Sequence, residues 1–238
     1  MAISTLAIRS VRAASEVDIN LEQWPFTVPS VRAILRGIDF SPLTVIVGEN
    51  GAGKSVLVEA LAVTYGFPAE GGTSWDQREG IEGQNILAEC LELSKGASGG
   101  RGGLFFRAEA AYSLVDFRVS AGSDLAKRYL KQSHGESALD MLLAASARGG
   151  LWILDEPESG LSFEGQLKLI SLIHEHIDAG HQVILCTHSP LLMCIDDARV
   201  LEIGPWGVRD AVVDELEVVD HWKRFLDSPE RYLRYLRS

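Results

Sequence analysis

Gly48-Glu-Asn-Gly-Ala-Gly-Lys-Ser55 is a complete G-x-x-x-x-G-K-[ST] string. Its glycines let the backbone curl so that successive N–H groups face phosphate oxygens, and a helix starting there adds positive potential. In such a loop Gly48, Glu49, Asn50, Gly51, Ala52 and Gly53 supply the cradle, Lys54 reaches the β- and γ-phosphates, and the Ser55 hydroxyl ligates Mg²⁺. Further along, Leu151-Trp-Ile-Leu-Asp-Glu156 is an apolar run ending in two carboxylates. In a parallel sheet covered on both faces, such charges belong at the carboxyl edge, beside the phosphate loop. There Asp155 would hold Mg²⁺ and Glu156 would polarise the water that attacks the γ-phosphorus. The bland alternatives are a chance match in a glycine-rich chain and an acidic loop start. The first loses ground because a strand and a helix flank the glycine string, the second because that string lies upstream on the same chain.

The elements around these residues must put them on one edge. Leu43–Val47 is a buried run rich in β-branched residues, and Lys54–Tyr65 carries a helical apolar face that Gly66 ends. Strand, glycine loop and helix therefore follow in the order the motif requires. Residues 4–11 and 35–40 read as short strands. The stretch 67–103 reads as an irregular insertion with a short helix at Ile86–Ser94 and a mobile Gly96–Gly103 tract, after which Leu104–Phe106 resumes as strand. A helix at Glu136–Arg148 precedes the strand Leu151–Leu154. Then follow a helix over Phe163–Asp178, a strand over Gln182–Thr187, a short helix begun by Ser189-Pro190, and the strand Arg199–Ile203. Val208–Val213 pairs with that strand as a hairpin through Gly204–Gly207, and the chain is helical from Asp220, restarting at Ser228-Pro229. Strands alternating with helices predict an α/β fold with a mostly parallel sheet.

Composition narrows the class. The 238 residues include 33 acidic and 22 basic side chains, a net charge of −11, and 46 % are apolar. That apolar share excludes a disordered chain, and the length buries a full core without cross-links. The three cysteines (Cys90, Cys186, Cys194) are scattered without a C-x-x-C, which fits a reducing cytosol. No run approaches the roughly 18 apolar residues of a bilayer span, and the first ten residues lack a secretory pattern, so a cytoplasmic protein without membrane insertion is expected. The acidic balance argues against unspecific nucleic-acid binding without excluding a local basic patch.

The ordered set of strings resembles the ATP-binding-cassette (ABC) ATPases: the phosphate loop (Walker A), Ser133-His-Gly-Glu-Ser137 (signature), Leu154-Asp-Glu-Pro-Glu-Ser-Gly-Leu-Ser162 (Walker B with D-loop) and Thr187-His188-Ser-Pro190 (switch histidine). Trp24-Pro25-Phe26, Phe106-Arg-Ala-Glu109 and Ser228–Leu233 are more closely similar to the small bacterial group of predicted or AAA-family ATPases. The resemblance implies a P-loop NTPase fold with an N-terminal antiparallel β part and a reduced helical subdomain. The chain would be one domain, 1–238, its core lobe about 1–106 and 149–238 and its helical insertion about 107–148. It implies that Ser133, Gly135 and Glu136 touch ATP held by a second copy, and that His188 holds Glu156 and the water in line. By the same resemblance Trp24 stacks on adenine, the alternative being that Trp24 anchors the core while Phe26 or neither stacks, and Glu109 takes the Q-loop place near Mg²⁺. Two departures are visible: His134-Gly135-Glu136 replaces Gly-Gly-Gln, and Ser162 stands where many relatives have Asp.

The expected function is Mg²⁺-dependent ATP hydrolysis by an ATP-dependent homodimer that drives or gates a protein partner. The alternatives are a transporter's nucleotide-binding subunit, for which residues 110–132 are a short docking region, a binding switch with negligible turnover, and, remotely, a P-loop kinase.

Overall fold

The computed structural model describes residues 6–73, 85–96, 102–109, 139–144 and 149–236. Among them, a six-stranded sheet holds the centre. Its strands are β3 (Leu43–Gly48), β5 (Gly103–Arg107), β6 (Leu151–Asp155), β7 (Gln182–Cys186), β8 (Arg199–Gly204) and β9 (Gly207–Ala211), in the spatial order β5-β6-β7-β3-β8-β9. The first five run parallel, and β9 turns back on β8 as a hairpin. The strand carrying the phosphate loop thus lies between β7 and β8.

Alternate residues of these strands enter two separate cores, the consequence of a period of two in a sheet covered on both faces. Ile46, Leu151, Ile153, Ile184 and Leu201 pack on one side with Leu57, Val58 and Leu61 of helix α2 (Lys54–Tyr65). Val45, Val47, Trp152, Leu154, Val183 and Leu185 pack on the other. That second face is covered by Leu169 and Ile173 of α4 (Phe163–Asp178), Leu192 of α5 (Pro190–Met193) and Val219 of α6 (Glu217–Asp227). A short helix α7 (Glu230–Leu233) follows.

A small antiparallel sheet, in the order β2-β1-β4, pairs β1 (Ile8–Ala13) with β2 (Ile38–Asp39) and β4 (Leu91–Lys95). It is tied to the main sheet by the buried Gln182 amide. Gln182 Oε1 accepts from Ile8 N–H at 2.8 Å, and Nε2 donates to the carbonyls of Ile8 and Ser41 at 2.8 and 3.1 Å. A side-chain amide has one donor end and one acceptor end, so it satisfies both backbone groups of Ile8 as a neighbouring strand would.

The α/β class and the mostly parallel sheet follow the sequence expectation, and α2 and α4 have the expected limits. Three local readings are corrected. Residues 29–36 form helix α1 (Pro29–Arg36), so only Ile38–Asp39 of the expected strand 35–40 is strand. The expected helix Ile86–Ser94 stops at Glu89 as α3 (Ile86–Glu89), and Leu91–Lys95 is β4; pairing with β1 overrides local helix preference. The C-terminal helix begins at Glu217 rather than Asp220. Residues 139–144 are helical, whereas the rest of the expected helix Glu136–Arg148, and residues 97–101 of the glycine tract, lie outside the described residues.

Candidate functional site

The carboxyl ends of β3, β6 and β7 bring the candidate residues together. β3 ends at Gly48, whose φ is 150° and whose place a Cβ could not take, since it would lie 2.4 Å from the Ile203 carbonyl oxygen. Gly51 and Gly53 also have positive φ, 80° and 94°, the region where glycine costs least. Ser30, the second residue of α1, donates from its hydroxyl to the Ala52 carbonyl at 2.8 Å and braces the loop from outside.

Lys54 opens α2 and folds back over the loop, donating from Nζ to the carbonyls of Gly48 and Glu49 at 2.9 and 2.8 Å. The residue is 4 % exposed, and burial pulls its pKa down against the opposing pull of Cys186, Glu156, Asp155 and Glu158. An ammonium held this way is short of negative charge, so phosphate oxygens arriving in the cradle are favourable partners. Ser55 Oγ donates to Asp155 Oδ1 at 3.2 Å. Asp155 is 6 % exposed; burial raises its pKa, while Arg107 and the Ser55 hydroxyl lower it. A serine hydroxyl beside one carboxylate fits Mg²⁺, which in phosphate sites uses one or two carboxylates and completes its shell with phosphate and water oxygens.

Glu156 departs from the strand at φ 50°, a left-handed conformation that costs a non-glycine residue roughly 1–2 kcal/mol. Its N–H donates to the Cys186 carbonyl at 2.9 Å, and its Oε1 lies 3.4 Å from His188 Nε2. Sequence neighbours Asp155 and Glu156 thereby have different partners, Ser55 and His188.

The loop residues Gly48–Ala52 and His188 line one cavity of about 970 Å³. Its lining also includes Trp206 from the β8–β9 turn, Trp222 and Phe225 of α6, and Tyr232 of α7. Trp24 is 66 % exposed and is not among the residues lining that cavity, while Phe26 is buried in the core. Glu109 is exposed two positions past the end of β5. Ser133, Gly135 and Glu136 lie outside the described residues.

The AAA domain family model matches residues 6–104. Over 192 residues the chain is 30 % identical to the cytochrome c biogenesis ATP-binding export protein CcmA of Rhodopseudomonas palustris (strain BisB18), covering 73 % of this chain and 92 % of that one. The chain is an ABC-type ATPase.

A second CcmA, from Nitrobacter hamburgensis, is 28 % identical over 220 residues, covering 86 % of this chain and 98 % of that one. Among solved structures, CbiO1 from Clostridium perfringens, part of the ABC transporter complex CbiONQ, matches 82 % of this chain and 88 % of that one, at 17 % identity and a TM-score of 0.40. As an ABC-type ATPase, the protein binds ATP and hydrolyses it to ADP and phosphate. Among the described residues no helix is long and apolar enough to cross a membrane.

Two features of this ATPase escaped the sequence reading. Arg107 pairs in register with Asp155, with its Nε 3.7 Å from Asp155 Oδ2 and its Nη1 2.7 Å from Glu59 Oε2. Only the strand pairing of β5 with β6 brings that cation to the carboxylate. Trp206 reaches the cavity because the hairpin turn ends beside the loop, and no string in the sequence announces it.

Proposed function

We propose that this ATPase closes as a head-to-tail pair of copies over two Mg²⁺-bound ATP molecules, reopens after hydrolysis, and so drives or gates a protein partner. The observation that carries the reading is the 3.4 Å approach of His188 to Glu156, at the edge where Lys54, Ser55 and Asp155 converge. In this reading the N–H groups of residues 48–53 hold the phosphates, and Lys54 exchanges its two carbonyl partners for β- and γ-oxygens. Glu156 accepts a proton from water as its oxygen bonds to the γ-phosphorus and the bond to the β-phosphate oxygen breaks. His188 keeps that carboxylate and the transferring group in line. Ser55 and Asp155 would hold Mg²⁺, which supplies neutralisation of the phosphate charge. The described residues contribute positioning and electrostatics, the main demands of phosphoryl transfer.

The Ser133–Ser137 string supports the paired arrangement, because a serine hydroxyl and a glycine N–H are donors that suit a γ-phosphate bound by another copy. The purine would extend toward the apolar end of the cavity, which is lined by Trp206, whose ring carries the Arg209 guanidinium 4.0 Å from its centroid.

Glu156→Gln is the test. Phosphate release should fall at least about 100-fold while ATP stays bound. Light scattering should then show a dimer that is absent without nucleotide. A variant that remains monomeric with saturating ATP and Mg²⁺ would overturn the paired arrangement.

A second reading has an observation in its favour: two relatives are named as cytochrome c biogenesis ATP-binding export proteins. Here the ATPase serves as the nucleotide-binding subunit of a membrane transporter. Co-purification of the Glu156→Gln protein with an integral membrane protein would support it over a non-membrane partner.

A further inference from the structure

His188 is held from two directions. Its ring meets Glu156, and its backbone is gripped by a second carboxylate two positions further on. Glu158 Oε1 accepts three hydrogen bonds: from the Thr187 hydroxyl at 2.7 Å, the His188 N–H at 2.6 Å and the Ser189 N–H at 3.1 Å. Three donors converging on one charged oxygen fix a loop far more tightly than a single neutral bond. The carboxylate's other oxygen, Oε2, is buried and has no hydrogen-bond partner among the described residues. The side chain is thus committed to the loop through one oxygen, with solvation of the other given up.

The chain around Glu158 is also held. The Ser159 N–H donates to the Glu156 carbonyl at 3.1 Å and the Leu161 N–H to the Glu158 carbonyl at 2.9 Å, so residues 156–161 form consecutive tight turns. On the other side, Ser189 Oγ pairs with Gln166 Oε1 of α4, and the Ser189 N–H also reaches Thr187 Oγ1 at 2.9 Å. The two loops behave as one block, with Glu158 as the joint.

We propose that Glu158 is the positioning residue of the hydrolytic pair: its Oε1 clamps the Thr187–Ser189 backbone and thereby sets the His188 ring against Glu156. Glu158 acts through His188 and does not touch the reacting atoms. This rests on the reading in which Glu156 and His188 direct the attacking water.

The experiment measures phosphate release and ATP affinity for Glu158→Ala, Glu158→Gln, Thr187→Val, His188→Ala and the Glu158→Ala/His188→Ala double variant. Glu158→Ala should lower kcat at least ten-fold with KM for ATP changed less than two- to three-fold. Glu158→Gln keeps an acceptor at the Oε1 position and should recover activity to within about three-fold. Thr187→Val removes one of the three donors, together with the acceptor of the Ser189 N–H, serves as the second variant should Glu158→Ala fail to fold, and should lower kcat several-fold. The double variant should be no slower than His188→Ala alone, because a residue acting through another adds nothing once that other is gone. Multiplicative losses in the double variant, an unchanged kcat in Glu158→Ala or Thr187→Val, or a Glu158→Gln protein as slow as Glu158→Ala would each overturn the clamp. If His188→Ala itself keeps full kcat, the underlying reading of the hydrolytic pair fails instead.

Discussion

The Ser55 hydroxyl and the Asp155 carboxylate, one hundred positions apart in the chain, are joined by a 3.2 Å hydrogen bond at the carboxyl edge of the sheet. In the proposed function these two side chains would hold the divalent cation. Asp155→Asn and Ser55→Ala should therefore weaken nucleotide binding about 10–100-fold when Mg²⁺ is present and much less when it is chelated. Titrating a fluorescent ATP analogue with Mg²⁺ and with EDTA separates the two conditions. Equal losses in both would remove these residues from the metal site.

The aromatic end of the cavity makes a separate forecast. Trp206 lines the same space as the loop residues 48–52, whereas Trp24 is two-thirds exposed outside that lining. Trp206→Ala should raise the KM for ATP about ten-fold, the worth of one stacked ring, with kcat little changed. Trp24→Ala made in parallel tests the position expected from sequence. A raised KM in Trp24→Ala alone would return the base to that residue.

Two glycines are required by packing, independently of any part in the chemistry. A Cβ on Gly103 would sit 2.0 Å from the Leu151 carbonyl oxygen, and one on Gly48 would sit 2.4 Å from that of Ile203. Both neighbours are backbone, which cannot rotate away. Gly103→Ala should cost at least about 2 kcal/mol. That lowers the melting temperature by roughly 4–8 °C for a chain of this size. Calorimetry on Gly103→Ala checks this, and unchanged melting would show that β5 and β6 can separate cheaply.

His176 sets a pH dependence of stability. It stacks on Trp152 with ring centroids 3.9 Å apart, is 3 % exposed, and has Nε2 2.9 Å from the Gly150 carbonyl. Burial lowers its pKa from 6.5 to about 4, helped by His181 and opposed by the Gly150 bond. Between those values the unfolded chain binds the proton and the folded protein does not, so stability falls as pH falls. The contribution is complete above about pH 6.5 and lost toward pH 4, on the order of 3 kcal/mol. His176→Gln, with an amide able to donate to the same carbonyl, should show a flatter curve of urea midpoint against pH. A variant curve parallel to that of the parent would remove His176 as the cause.

How much of this could be read beforehand depended on range. The strand–loop–helix unit around Lys54 was legible because every signal in it is local: a β-branched run, glycines at turn positions, an apolar helical face and Gly66 to stop it. The helix α1 was missed although Pro29 stands at its first turn and Gly37 just after its end, the usual punctuation. Leu91–Lys95 was unreadable as strand because its partner, β1, lies some eighty residues away, and the pairing rather than its own composition decides it.

The sequence by itself determined the chemistry on offer: the cradle of residues 48–55, the paired carboxylates at the end of an apolar strand, and the histidine after the next strand. Such strings carry their meaning locally, since backbone curvature and helix starts depend on residues a few positions apart. Only the tertiary structure decided which groups meet. The register of β5 on β6 brings Arg107 to Asp155, the hairpin turn carries Trp206 to the loop, and the fold of two loops onto each other sets Glu158 beneath His188. Those contacts join residues distant in sequence, and their existence depends on strand order and register, which no short stretch of the chain encodes.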